Sequence, residues 1–101
     1  MVRLIITADD ELYDRLACRT QEEGDRPQRA TNVLDGFRLA TTQLIDMIVV
    51  DMSVHAADTL VETLHSRTAT AGIPLYVVKS GERLPFELRR LCTDILEADA
   101  L

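Results

Sequence analysis

The stretch IDMIVVDMSVHAAD, residues 45–58, decides how this chain is read. Its apolar run, DMIVV (46–50), has no polar alternation and stops on Asp51. A short run of this kind, rich in β-branched residues, fits a strand of a parallel sheet covered on both faces. Beyond it, Ala57, Leu60, Val61 and Leu64 recur at i, i+3, i+4 and i+7, the spacing of an amphipathic helix. Asp51 therefore stands at the carboxyl tip of a buried strand. Such an acid can cap the next turn, or it can be a nucleophile in a crevice.

The same alternation extends in both directions. VRLIIT (2–7) reads as a buried strand, and Leu12, Leu16 and Ala17 then take helical spacing up to EEGD, where Gly24 is placed to cap the helix. RPQRAT (26–31) reads as a second strand whose two arginines suit an exposed edge. Asp35-Gly36 opens a helix through FRLATTQL, and after AGIP the run LYVV (75–78) is another buried strand. Leu88, Leu91, Cys92, Ile95 and Leu96 predict a closing helix over 86–98. Strands alternating with helices imply right-handed crossovers and a doubly wound α/β sheet. No linker or repeat divides residues 1–101, so one domain is expected.

Composition narrows the function classes. With 47% hydrophobic and 28% charged residues the chain is ordinary for a globular domain, and with four aromatics and no tryptophan its core is aliphatic. A net charge of −6 argues against direct nucleic-acid binding, which needs a basic face. No apolar run reaches the ~20 residues of a membrane span, and MVRLII is too short for a signal peptide. Cys18 and Cys92 lack metal-ligand spacing and read as free thiols, which suits a cytoplasmic protein. No Ser-His-Asp order or glycine-rich phosphate loop is present. His55 and His65 read as solvated, and Asp46 lies at the other end of its strand.

In an open α/β sheet, ligands bind beyond the carboxyl ends of the strands, where strand order reverses. With strand order 2-1-3-4, the first strand delivers Asp9 and Asp10 there and the third delivers Asp51. Asp9 and Asp10 alone would also serve as the cap and first turn of the following helix. Converging carboxylates repel by about 4 kcal/mol per pair at ~4 Å in an effective dielectric of about 20. A hard cation such as Mg²⁺ would relieve that, and a carboxylate held beside it could accept a phosphoryl group.

RLIITADDE resembles the first strand and acidic pair of response-regulator receiver domains, the CheY-like, flavodoxin-like fold. LDGFRLA resembles their second-helix opening, IDMIVVDM their phosphoacceptor strand, and SRTATAGIPLYVV their entry into strand four. The resemblance runs from Val2 to about Val78. It implies Asp51 as phosphoacceptor, Asp9, Asp10 and Asp51 with the Ser53 backbone carbonyl as Mg²⁺ ligands, and a histidine kinase or other signalling protein as partner.

Beyond strand four the pattern departs from the family. Lys79 stands where receivers carry a hydroxyl residue, with Ser80 one place on. In SGERLPF, Leu84 replaces the lysine before the proline, Pro85. The loop SVHAADT lacks the family's proline and glycines. The fourth helix and fifth strand are expected to be missing or truncated. Strand 74–79 would then be an unpaired apolar edge, calling for a homodimer or partner across it and helix 86–98. Lys79 could reach over the acids as a built-in cation. Two functions follow: a receiver phosphorylated on Asp51 with Mg²⁺, or a phosphorylation-independent pseudo-receiver acting as an interaction or dimerisation module. Enzymatic turnover is not expected of either.

Overall fold

The computed structural model of the protein describes residues 1–81 and 83–101. Its elements follow in the order β1 (Val2–Ile6), α1 (Asp10–Glu22), β2 (Arg26–Ala30), α2 (Val33–Thr42), β3 (Met47–Asp51), α3 (Ala57–Ser66), β4 (Leu75–Lys79), α4 (Phe86–Arg89) and β5 (Asp94–Glu97). A 3₁₀ turn, Ala98–Ala100, follows β5. The five strands form one parallel sheet in the order β2-β1-β3-β4-β5.

Local chemistry sets the helix ends. The Asp9 carboxylate accepts the Glu11 and Leu12 N–H groups and caps α1, and Gly24 follows the helix at φ +83°. Asn32 caps α2 by accepting the Asp35 N–H, so that helix starts ahead of the Asp35-Gly36 pair. Gly36 lets α2 close on β1. A Cβ there would lie 2.6 Å from Ile6 Cδ1.

The strands divide their side chains between two cores. On one face Leu4, Ile6, Ile48, Val50 and Val77 pack with α2, α3 and Leu88 of α4. On the other, Ile5, Val49 and Val78 pack with Leu12 and Leu16 of α1. The polar edge strand expected from RPQRAT is β2, at one end of the sheet.

The end of the chain corrects the expectation of a closing helix over 86–98. Residues 86–89 make one short helix, and 94–97 are a fifth strand in register with β4, Tyr76 opposite Asp94 and Lys79 opposite Glu97. Both elements expected to be missing or truncated are therefore present, each in short form. Strand 74–79 is not an edge, because β3 and β5 flank it. The spacing of Leu88, Leu91, Cys92, Ile95 and Leu96 suits a helix, yet Ile95 and Leu96 serve opposite sheet faces. Pairing to the open β4 edge satisfies a row of backbone groups that a helix would leave bare. Thr93 clips the start of this pairing: its N–H donates to Leu75 O at 2.6 Å and its hydroxyl accepts the Leu75 N–H at 3.1 Å.

Candidate functional site

Asp51 ends β3 at the carboxyl edge of the sheet and is only 6% exposed. Ile6 pairs with Val50, so the next residue of the first chain segment, Thr7, comes alongside Asp51. The fully buried Thr7 hydroxyl donates to Asp51 Oδ2 at 2.7 Å. The other oxygen, Oδ1, accepts the Ser53 N–H at 3.0 Å and the Ser53 hydroxyl at 2.8 Å. An aspartate bonding the backbone two residues on is a turn-forming device, and here it shapes the exit from β3. Both carboxylate oxygens thus have protein donors.

Asp9 and Asp10 lie beyond Thr7 and Ala8 and have other work. Asp9 Oδ1 is held by the first N–H groups of α1, at 3.0 and 3.1 Å. The Asp9 N–H donates to Thr7 Oγ1 at 3.1 Å, so one hydroxyl bridges the helix cap and Asp51. Asp10 pairs with Arg29 of β2 at 2.8 Å, and the same guanidinium donates to the Thr7 carbonyl and lies over the Tyr13 ring. The structure thus turns Asp10 toward the β2 edge. Among the described residues, no three His, Cys, Asp or Glu side chains are gathered closely enough to hold a metal ion.

Lys79 ends β4 one residue past Val78, the partner of Asp51. Its ammonium pairs with the Glu97 carboxylate on β5, which also accepts the Gly81 N–H. These contacts hold the Glu97 carboxyl below its ordinary value, the Lys79 hydrogen bond being the larger cause. No bond from Lys79 to Asp51 is present among the described residues. His55 and His65 are exposed, and Asp46 accepts the Val2 N–H at 2.7 Å at the opposite end of the sheet.

Thr7 is the site residue that the sequence reading passed over. Its signal was countable: carrying the strand through Thr7 places that hydroxyl, and not Asp9, level with Asp51. The acids of ADDE fall beyond that level because Thr7 and Ala8 come between the end of β1 and Asp9.

No family model matches the chain, and no curated protein matches it in sequence. Solved structures match it in shape. The CheY-like response-regulator receiver domain from Methylobacillus flagellatus has a TM-score of 0.86 at 16% identity, over 96% of this chain and 85% of that one. The receiver domain of the Francisella response regulator 1452 gives 0.82 at 17% identity, over 98% and 88%. The response regulator TrrA from Thermotoga maritima, solved in complex with Mg²⁺–BeF, gives 0.85 at 10% identity, over 95% and 84%. The chain has the CheY-like receiver fold.

The Mg²⁺ that this fold's resemblance implies does not fit the residues here. A hard divalent cation is held by several oxygen ligands with carboxylates among them. Thr7 is the neighbour of Asp51 from the first chain segment, and the Asp51 oxygens are already bonded within the protein.

Proposed function

We propose that this chain is a receiver-fold interaction module that works without phosphoryl transfer to Asp51. The observation that carries this reading is the buried Thr7–Asp51 hydrogen bond, which gives the carboxylate a neutral hydroxyl neighbour where metal-assisted chemistry needs a second acid. On this reading Asp51 is a structural acid that fixes the loop after β3, and Lys79 with Glu97 ties β5 to β4. The partner is a signalling protein, and the free thiols of Cys18 and Cys92 suit a cytosolic setting. Dimerisation through strand 74–79 loses its motive, since β5 covers that edge.

A second reading retains one favourable observation: Asp51 is the last residue of β3 in a receiver fold. It makes Asp51 a phosphoacceptor, Asp9 and Asp10 metal ligands with the Ser53 carbonyl, and a histidine kinase the partner. Its geometry would require the Asp51 contacts to open and α1 to release its cap.

Intact mass after incubation with Mg²⁺ and acetyl phosphate separates the two. The expected result is no adduct on the wild type. Thr7→Asp, which sets a second carboxylate beside Asp51, should be destabilised in chelator and recover with added Mg²⁺. A stoichiometric wild-type adduct that disappears in Asp51→Asn would overturn the interaction-module reading.

A further inference from the structure

The crossover from β4 to β5 carries very little helix. α1, α2 and α3 run for 13, 10 and 10 residues, whereas α4 is a single turn, Phe86–Arg89. At 1.5 Å per residue such a turn is only about 6 Å long, too short to cover both strands that it joins. Leu88 of α4 reaches the core, yet Ile95 of β5 stays half-buried on the same face. Beside α4, between the carboxyl end of β4 and the flank of β5, lies a hollow of about 420 Å³. That volume is within the range of small-molecule sites, and the carboxyl side of an open α/β sheet is where ligands bind.

The lining of this hollow divides simply. Leu84 and Ile95 supply apolar surface, and each charged residue among its described lining is basic: Lys79, Arg83 and Arg89. The Lys79 ammonium pairs with Glu97, whose other oxygen accepts the Gly81 N–H. An ammonium has three donors, so Lys79 keeps the capacity for a second partner. Arg83 and Arg89 are exposed. Counted against Glu97, and also against Glu82, which lies outside the described residues, the three cations still leave a positive balance. In a chain of net charge −6, that makes the hollow a place where an anion is drawn rather than repelled. Two guanidinium forks and an ammonium match the three outer oxygens of a phosphomonoester better than the two of a carboxylate.

We infer that the hollow beside α4 is a binding site for a phosphomonoester carried on a small apolar or aromatic body, its phosphate met by Arg83, Arg89 and Lys79 and its body by Leu84 and Ile95. Asp51 is not among the lining residues, and the site binds its ligand without phosphoryl transfer. This goes beyond the interaction-module reading and does not depend on it.

The test titrates the nitrogen-labelled protein with phenyl phosphate in the presence of chelator and follows the backbone amides. Saturable binding is expected, with shifts at Gly81, Leu84, Arg89 and Ile95. Inorganic phosphate, phenol and benzoate should each bind about tenfold more weakly or less, because each lacks one part of what the hollow offers. The double variant Arg83→Gln with Arg89→Gln changes two exposed positions and should weaken phenyl phosphate by about tenfold or more, with its amide spectrum elsewhere unchanged. If that variant fails to fold, the ligand series on the wild type decides alone. Absence of saturable binding overturns the proposal, as do shifts centred on Thr7, Asp51 and Ser53 or a folded double variant that binds like the wild type. Equal binding of inorganic phosphate or phenol overturns it by making the apolar body or the phosphate irrelevant, and equal binding of benzoate overturns the choice of phosphate.

Discussion

On one face of the sheet, α2, α3 and α4 lay Ala40, Leu60, Val61, Leu64 and Leu88 onto Leu4, Ile48, Val50 and Val77. On the other, α1 alone sets Leu12 and Leu16 against Ile5 and Val49. The strands supply apolar residues to both faces, so the need for a cover does not by itself explain the difference. Connectivity does. Right-handed crossovers place a helix on one face when the chain steps one way across the sheet and on the other face when it steps back. From β1 the chain steps out to β2 once, and every later step, β2 to β3, β3 to β4 and β4 to β5, runs the other way. Three helices therefore share a face, and one is left for the opposite side.

The contrast has a direct measure in stability. Leu64, 1% exposed beneath α3, should cost about 2–5 kcal/mol when replaced by alanine, through lost burial and a cavity that the packed side cannot close. Leu96→Ala, on the open face, should cost about 1 kcal/mol because that side chain is only half removed from water. Chemical denaturation of the two variants compares the faces. Equal losses would mean that the open face is packed as tightly as the other.

A smaller effect of opposite sign is expected at the entrance to α3. Ala56 sits at φ 62° and ψ 23°, left-handed backbone that a side chain adopts at a cost, and it gives α3 no side-chain cap. Ala56→Gly should stabilise the covered side by about 0.5–1 kcal/mol, the relieved strain being partly offset by glycine's greater freedom when unfolded. Thermal melting of this variant sharpens the comparison, and a lower melting temperature would show that the loop does not hold this backbone. The absence of glycine from SVHAADT was visible at the outset; that Ala56 bears the consequence was not.

The smallest effect belongs to the edge strand. Glu97 titrates below its ordinary value of 4.5 because Lys79 and the Gly81 N–H favour its charged form. The folded value is the depressed one. Its contribution is therefore complete above about pH 4.5 and is lost as pH falls through the lower, folded value. Glu23 behaves alike through Arg3. Acidification from neutral pH to below 4.5 should lower the melting temperature of the wild type more than that of Glu97→Gln, the two curves converging at the acid end. Parallel curves would mean that the Lys79–Glu97 pair adds nothing to the β4–β5 seam.

How much of this was legible beforehand varied along the chain. DMIVV and LYVV were legible as buried strands because each holds an unbroken run of four apolar, largely β-branched residues, too short for a helix and without a polar face. VRLIIT and RPQRAT were placed correctly by the same logic, one interior and one at the edge. DILE was not. Its two apolar residues continue the spacing of Leu88, Leu91 and Cys92, and only the open β4 edge turns that segment into a strand. The candidate site divides in the same way: Asp51 was located from sequence, whereas the assembly of Asp9 and Asp10 around it was an expectation of spacing that the strand register redirects.

Sequence pattern alone determined the alternation of strands and helices, the parallel sheet, and the placing of Asp51 at the sheet's carboxyl edge. Those follow from hydrophobic period and chain direction, which are local properties. Only the tertiary structure decided that Thr7 bonds Asp51, that Asp9 spends its carboxylate on α1, that Lys79 meets Glu97, and that Ile95 and Leu96 divide between the two sheet faces. Each of these depends on register or on a competition between distant partners for the same group. A one-residue change in where a strand ends moves a side chain to the other face of the sheet, and no local pattern records that choice.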